Sequence, residues 1–156
     1  MQEFSFPYQQ SLKTHLTQPV QDLITAAEKA ADKAYAPYSN FKVGAALLQS
    51  NGVILTGANH ENASFPAGIC AERAVLGALD MSSGHTVTAI AVSYKTDKAG
   101  ALPPLSPCGI CRQTILETQL HQRTPIAVYM SNPGGEVILV EDARHLLPFH
   151  FSSEFL

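Results

Sequence analysis

The sequence predicts one α/β domain in three layers (α/β/α), with helices covering a central mixed sheet of five strands. Segments with apolar residues at helical spacing alternate with short apolar runs rich in β-branched residues. The resulting order strand–helix–strand–helix–strand favours mostly parallel central strands. The length of 156 residues suits a single domain, which at this size buries roughly 70% of its unfolded surface.

Three helices and one shorter helix are predicted. The first covers residues 17–35, because its apolar residues fall on one face and Pro37 follows it. The second and third cover residues 70–79 and 109–121. The short helix is expected near residues 141–147.

Five strands are predicted. Asn51-Gly52 separates two apolar runs and is a strong hairpin signal. The strands cover residues 41–49, 53–58, 86–94, 126–130 and 136–140. Residues 1–16 are polar and mixed, and we take them as an N-terminal extension of a single domain that covers residues 17–156.

The composition excludes several classes of function. A formal net charge of −3 gives no positive footprint for a nucleic acid. No segment approaches the ~20 apolar residues that span a membrane, and residues 1–16 lack the basic and apolar regions of a signal peptide. We therefore expect a cytoplasmic protein with neither a nucleic-acid nor a membrane partner.

The three cysteines of the chain lie in two short segments, Cys70-Ala-Glu72 and Pro107-Cys108-Gly-Ile-Cys111. Three sulfur ligands suit Zn²⁺, which prefers tetrahedral coordination, and they leave its fourth position open, as in catalytic zinc sites. Glu72, two positions after the first cysteine, supplies a general acid and base. The same sequence motif, an x-E segment followed by P-C-x-x-C, is found in zinc nucleobase deaminases.

Two alternatives use the cysteines without zinc. Cys108 and Cys111 could form a redox pair, or the thiols could be buried small hydrophobes. A redox pair leaves Pro107 and the Cys70-Ala-Glu72 segment unexplained, and an odd cysteine count disfavours a disulfide framework. We therefore predict one catalytic zinc, with ligands at the starts of two helices, where the partial positive charge favours thiolate over thiol.

Several blocks in the same order resemble the small cytidine deaminases of pyrimidine salvage, a family of homotetramers. The resemblance runs from about residue 35 to residue 156. Its blocks are residues 38–46, 59–66, 70–73, 106–113 and the ending 146–156. It implies a cytidine-deaminase-like fold with one zinc ion per subunit, and hydrolytic deamination of cytidine, and of 2′-deoxycytidine, to uridine or deoxyuridine and ammonia.

The resemblance also implies roles at the metal. The implied zinc ligands are Cys70, Cys108 and Cys111. Glu72 would take a proton from water, deliver it to N3 of the ring and then protonate the leaving amine. Arg73 and Arg112 would donate hydrogen bonds to the sulfurs and withdraw electron density from them; the alternative for each is an ordinary surface ion pair.

Further implied roles concern the nucleoside. Asn59 and Glu61 would bind the ribose hydroxyls, and Phe41 and Ala71 would contact the nucleoside. In the resembled family, an aromatic at the position of Phe151 reaches into the active site of a neighbouring subunit. This implies a homotetramer with shared active sites. The alternative is that the C-terminal rings of Phe149, Phe151 and Phe155 fold back on the sheet of their own chain.

Two features depart from the resembled family. His60 occupies the middle of the Asn-x-Glu segment, where an apolar residue is expected. The stretch 95–104 is longer than the compact family needs, which suggests that it reshapes the rim of the site.

Two other functions fit parts of the pattern. The first is another zinc deaminase, acting on an aminoglycosyl-cytosine antibiotic such as blasticidin S or on a polynucleotide. The Asn59-x-Glu61 pair favours a free ribonucleoside over the antibiotic, and the net charge disfavours nucleic acid. The second is a zinc- or nucleoside-binding module without catalysis, which would have no use for Glu72.

Overall fold

The computed structural model describes residues 1–98 and 102–156. Residues 99–101, within the stretch 95–104, lie outside the described residues. The strands in the described part are β1 (Gln9–Leu12), β2 (Lys42–Gln49), β3 (Ile54–Ala58), β4 (Val87–Lys95), β5 (Ala127–Ser131) and β6 (Glu136–Val140). The helices are α1 (Gln18–Ala30), α2 (Ala71–Leu76) and α3 (Gly109–Gln122).

The strands form one mixed sheet in the order β1-β6-β5-β4-β2-β3. Only β4 and β5 pair in parallel among the described strands; the other neighbours are antiparallel. The prediction of mostly parallel central strands is therefore wrong. The cause is β2, which forms a hairpin with β3 and also lies beside β4, so an antiparallel strand occupies the centre of the sheet.

The sheet has six strands among the described residues, one more than predicted, and the additional strand is β1. It lies within the N-terminal extension and pairs antiparallel with β6, Gln9 opposite Leu139 and Leu12 opposite Glu136. Its four residues are largely exposed, so main-chain hydrogen bonds hold it in the sheet. Because it has no buried face, its sequence shows no alternation of apolar and polar residues. The domain boundary at residue 17 stays a prediction.

Helices cover both faces of the sheet, as predicted for a three-layer fold. α1 packs on one face through Leu23, Ile24 and Ala27, which belong to one buried cluster with Ala46 of β2. α2 and α3 pack on the other face, where their apolar residues meet the alternate side chains of the same strands. The members of this second core include Leu47, Val75, Ile90, Val92, Ile115 and Val128. Successive side chains of β2 and β4 point to opposite faces of the sheet and thus contribute to two separate cores.

The helix ends differ from the predicted ones. α1 ends at Ala30 and continues as a 3₁₀ turn, Ala31–Lys33, before Pro37 is reached. α2 ends at Leu76, and the short helix expected near residues 141–147 is a 3₁₀ turn, Ala143–Leu146. Propensity and patterning define such ends only within a few residues.

Two glycines allow the helices to approach the central hairpin closely. A Cβ on Gly44 would collide with backbone atoms of Ala27 and Ala31, and a Cβ on Gly57 would lie 2.8 Å from the carbonyl oxygen of Ala71. Gly57 therefore lets α2 rest directly on β3, next to the segment that carries Cys70.

The topology brings the starts of α2 and α3 to one edge of the sheet. β3 and β4 both pair antiparallel with β2, so they run in the same direction. α2 follows β3 and α3 follows β4 along the chain. Helices that follow strands of the same direction begin near the same edge, where ligand sites of open α/β sheets form. None of the helices in the described ranges is long and apolar enough to cross a membrane.

Candidate active site

Three thiols converge where α2 and α3 begin. Cys70 and Cys108 are the residues immediately before the two helices, and Cys111 lies in the first turn of α3. The Sγ atoms of Cys70 and Cys108 are 3.9 Å apart, those of Cys108 and Cys111 are 3.5 Å apart, and all three lie within 4.8 Å of one another. Tetrahedral zinc with Zn–S bonds of ~2.3 Å places its sulfurs ~3.8 Å apart. The cluster therefore fits a single zinc ion.

The three thiols do not ionise alike. Burial and the nearby Cys108 and Glu72 raise the pKa of the Cys70 thiol. Burial and the Glu72 carboxylate likewise raise the pKa of Cys111. Burial also acts on Cys108, but hydrogen bonds from the Cys111 and Ile110 N–H groups and with the neighbouring thiols outweigh it and lower its pKa. Crowded thiolates repel one another, and a divalent cation relieves that repulsion.

Glu72 is the buried carboxyl next to this cluster. It lies in α2 and is only 4% exposed. Burial raises the pKa of Glu72 above its ordinary value, and hydrogen bonds from its own N–H and the Cys111 thiol only partly oppose this. A carboxyl with a raised pKa is more readily protonated than an ordinary carboxyl, which suits general acid–base chemistry.

A cavity of about 550 Å³ opens onto the cluster, a volume within the range of small-molecule sites. It is lined by Cys70, Cys108 and Glu72 and also by Asn59 and Glu61. The remaining lining residues, both apolar and polar, include Phe41, Val43, Ile69, Ala71, Leu105 and Ser106. Two of the three predicted metal ligands, Glu72 and both predicted sugar residues therefore share one cavity.

Glu61 is held by donors from the loop before β2. Its Oε2 accepts from the Tyr38 N–H at 2.9 Å and the Ser39 N–H at 3.3 Å, and its Oε1 accepts from the Ser39 hydroxyl. The Ser39 hydroxyl, followed by the Tyr38 N–H, lowers the pKa of Glu61. A carboxylate has about four lone-pair sites, so one acceptor position remains for a ligand.

Asn59 holds the start of β2 with its side chain. Its Oδ1 accepts from the Val43 N–H at 2.7 Å, and its Nδ2 donates to the Phe41 carbonyl at 3.0 Å. The second N–H of the amide and a lone pair of Oδ1 are not used by these two bonds. Asn59 can thus support the strand and bind a ligand hydroxyl at the same time.

Aromatic and small residues form the apolar wall. The Phe41 ring stacks on the ring of Tyr94, with centroids 5.1 Å apart and an interplanar angle of 20°. Ala71 is fully buried and lines the same cavity. His60 pairs through its backbone with Ile69, and its ring lies 4.8 Å from that of Tyr35, which braces the segment between Asn59 and Glu61.

The hydrogen bonds of Arg112 go to oxygen atoms and not to the sulfurs. Arg112 donates to the Pro107 carbonyl at 2.9 Å, the Leu146 carbonyl at 3.2 Å and the Ser106 hydroxyl at 2.9 Å. It therefore ties the segment before Cys108 to the C-terminal region, through oxygen acceptors. No hydrogen bond or ion pair of the Arg73 side chain occurs in the described part of the chain, so its role toward the sulfurs stays a prediction.

Phe151 lies outside the cavity lining of its own chain. Its ring is 57% exposed and stacks on Phe155 at 5.8 Å, and its carbonyl accepts from Gln113 Nε2 at 2.9 Å. Gln113 belongs to α3, so the C-terminal segment is anchored to the helix that carries Cys111.

Sequence reasoning gave no role to several residues of the site, among them Ser39, Leu105 and Ser106. Ser39 holds Glu61, and Leu105 and Ser106 line the cavity just before Cys108. Ser39 lies inside a block that resembles the deaminases, which was a signal for a role. No spacing rule pairs it with Glu61, because the contact joins residues 22 positions apart.

Comparison with known proteins agrees with this site. Residues 17–127 match the family model described as the cytidine and deoxycytidylate deaminase zinc-binding region. The match includes all three cysteines and Glu72. Together with the three-thiol cluster, it identifies zinc as the metal cofactor, one ion per subunit.

Individual relatives cover most of the chain. A cytidine deaminase of Sporosarcina psychrophila is 39% identical over 88% of this chain and 94% of its own length. One of Halalkalibacterium halodurans is 40% identical over 86% of this chain and 95% of its own. The crystal structure of cytidine deaminase from Burkholderia pseudomallei superposes with a TM-score of 0.72 at 40% identity, covering 87% of this chain and 100% of that one. The chain therefore belongs to the family of zinc-binding cytidine and deoxycytidylate deaminases.

Proposed function

We propose that this protein is a cytidine deaminase, which hydrolyses cytidine and 2′-deoxycytidine to uridine or deoxyuridine and ammonia. The main supporting observation is that one cavity is lined by Cys70 and Cys108 of the thiol cluster, by the buried Glu72 and by the polar pair Asn59 and Glu61. Relatives of that name at about 40% identity over most of the chain support the choice. The reaction would serve pyrimidine salvage in the cytoplasm.

Cys70, Cys108 and Cys111 would hold the zinc ion. Their sulfur spacing matches tetrahedral coordination by three thiolates, which leaves one position for water. When bound, zinc supplies a Lewis acid that lowers the pKa of water towards roughly 7. Arg73 would lie close enough to the ligand segment to moderate the negative charge of the thiolates.

Glu72 would hold and move the protons of the reaction. As a carboxylate it takes a proton from the attacking water, and as a carboxylic acid it gives that proton to N3 while the water oxygen bonds to C4. It then takes the second proton from this oxygen and gives it to the amino nitrogen, so that the C4–N4 bond breaks and ammonia leaves. Its burial at 4% exposure limits exchange of these protons with bulk water.

Asn59 and Glu61 would bind the sugar, and Phe41 and Ala71 would contact the nucleoside. The free acceptor position of Glu61 suits the hydrogen of a sugar hydroxyl, and the second amide N–H of Asn59 suits its oxygen. An apolar wall with a few placed polar groups is typical of small-molecule sites. This pairing favours a free nucleoside as the substrate.

A homotetramer with shared active sites is part of the proposal. The side chains of Phe149, Phe151, Phe155 and Leu156 are 90%, 57%, 71% and 96% exposed. Apolar groups concentrated at a terminus favour burial against another subunit. Phe151, anchored through Gln113, would then pack on the base bound by a neighbouring subunit.

Ammonia release by zinc-loaded protein tests the proposal. We expect turnover of cytidine and 2′-deoxycytidine, no turnover of blasticidin S or of a cytosine-containing oligonucleotide, and loss of turnover in Glu72→Gln with zinc retained. Preferential deamination of the antibiotic or the oligonucleotide would assign a different substrate class. Zinc-loaded protein that binds cytidine but releases no ammonia would instead identify a binding module.

A further inference from the structure

Three donors from adjacent residues meet on the carboxylate of Glu61. The Ser39 hydroxyl donates to Oε1 over 2.5 Å, while the N–H groups of Ser39 and Tyr38 donate to Oε2 over 3.3 and 2.9 Å. The carboxylate is thereby held at both oxygens on the wall of the cavity. Among the three donors, only the Ser39 hydroxyl binds Oε1, the oxygen that keeps a free lone pair.

The direction of the hydrogen bond between Ser39 and Glu61 follows from the ionised carboxylate, which can only accept. The Ser39 hydroxyl is therefore the donor, and its oxygen also accepts a hydrogen bond from the Phe41 N–H at 3.0 Å. The lowered pKa of Glu61, caused first by this hydroxyl, is consistent with a group kept as an acceptor.

The backbone on both sides of the contact is also held. Asn40 adopts a left-handed φ of 54°, which asparagine tolerates better than most residues, and its N–H donates to the Ala36 carbonyl at 3.0 Å. The Glu61 N–H donates to the Tyr35 carbonyl at 2.8 Å. Both partners therefore lie on anchored segments, and the hydroxyl completes an arrangement already in place.

We propose that Ser39 is a positioning residue for sugar recognition, which orients Glu61 so that the free lone pair of Oε1 faces a hydroxyl of the bound nucleoside. This rests on the proposed function, because Glu61 must bind the sugar of the substrate. Ser39 itself need not touch the substrate. Its effect should therefore depend on both Glu61 and the sugar hydroxyls.

The experiment compares cytidine with 2′,3′-dideoxycytidine, which lacks both hydroxyls of the sugar diol, as substrates or as competing ligands. We expect Ser39→Ala to lower kcat/KM for cytidine by about tenfold, the size of one lost hydrogen bond to a charged group. The value for dideoxycytidine should change less than about twofold, since no sugar hydroxyl meets Glu61. Ser39→Thr, which keeps the hydroxyl, should restore cytidine turnover.

A double-mutant cycle with Glu61→Gln completes the test. In the Glu61→Gln background, Ser39→Ala should add little further loss, because the two residues act through one contact. Thermal unfolding and zinc content should stay near wild type in every variant, and Ser39→Gly serves as a second removal of the hydroxyl if Ser39→Ala is unstable.

Two results overturn the proposal, and they are distinguishable. In the first, Glu61→Gln lowers the ratio of kcat/KM for cytidine to kcat/KM for dideoxycytidine, but Ser39→Ala lowers both values equally or lowers neither. This result would refute the role of Ser39 alone. An unchanged ratio in Glu61→Gln would refute the sugar-binding role of Glu61, and with it the role of Ser39.

Discussion

The Sγ atoms of Cys70 and Cys108 lie 3.9 Å apart, although the residues are separated by 38 positions along the chain. Each is the residue immediately before a helix, and the two helices follow strands that run in the same direction. The fold thus brings two helix starts to one edge of the sheet. A single ion can then be bound by both segments, which links metal binding to the packing of α2 and α3.

Removal of Cys108 should abolish zinc binding. In Cys108→Ala the cluster keeps two of its three thiols, and we expect zinc content to fall from one ion per chain to near zero, together with activity. Because thiolate ligands must be deprotonated, acid and chelators should also remove metal and activity in parallel from the wild type. Metal analysis of the purified proteins checks this. Active Cys108→Ala protein, or active wild type without zinc, would contradict the assignment.

Glu72→Gln should separate catalysis from metal binding. The amide has nearly the same shape as the carboxyl but cannot carry a proton between water, N3 and the amine. We expect unchanged zinc content and cytidine deamination slower by at least ~10²–10⁴-fold, the usual contribution of a general acid or base. Turnover within a few-fold of wild type would exclude the proton-transfer role.

The sequence predicted the layers of the fold better than the sheet. Helical periodicity located α1 and α3, and the predicted strand 136–140 has the same bounds as β6. The sequence carried little sign of β1, because an exposed strand of four residues is defined by the backbone of β6 and not by side-chain burial. The position of β2 between β3 and β4 could not be predicted from the sequence either, because the order of strands along the chain does not determine their order in the sheet.

In the candidate site, short-range motifs were readable and long-range contacts were not. Cys70, Glu72, Cys108 and Cys111 stand at motif spacing, and the structure brings them together. The partners of Arg112 were not predictable, because Leu146 lies 34 positions away and meets the guanidinium only after folding. The contact between Ser39 and Glu61 was unpredictable for the same reason: Ser39 lies in the loop between α1 and β2 and meets Glu61, 22 positions away, only after folding.

Phe151→Ala should weaken cytidine binding if neighbouring subunits share active sites. The loss of one aromatic contact is expected to cost about 0.5–1.5 kcal/mol, in addition to lost burial, and to raise KM several-fold. Phe149→Ala, which removes an exposed ring two positions earlier in the chain, is the matched control and should leave KM closer to wild type. Light scattering at assay concentration should give the mass of a tetramer. A fully active monomer would refute the shared site.

Gln119 is a buried amide that should stabilise the fold beside the metal-binding helix. It is fully buried; its Nε2 donates to Asp142 Oδ1 at 2.6 Å, and its Oε1 accepts from the Ile126 N–H at 2.9 Å and the Ala143 N–H at 3.1 Å. Gln119→Met keeps the length of the side chain and leaves those N–H groups unpaired. Each buried unpaired group costs about 1–3 kcal/mol, so denaturant unfolding near pH 7 should reveal a loss of at least ~2 kcal/mol.

The same contact makes this loss depend on pH. Burial tends to raise the pKa of Asp142, but hydrogen bonds from Gln119 and the Arg144 N–H outweigh it and lower the pKa below the ordinary 3.8. A carboxyl with a depressed pKa stabilises the folded state above its unfolded pKa, and that stabilisation is lost as the pH falls through the folded pKa. The difference in unfolding free energy between wild type and Gln119→Met should therefore shrink below about pH 4. Loss of zinc in acid affects both proteins and therefore cancels in this difference. A difference in unfolding free energy that stays constant from about pH 7 to pH 3 would exclude Asp142 as the group whose ionisation is coupled to Gln119.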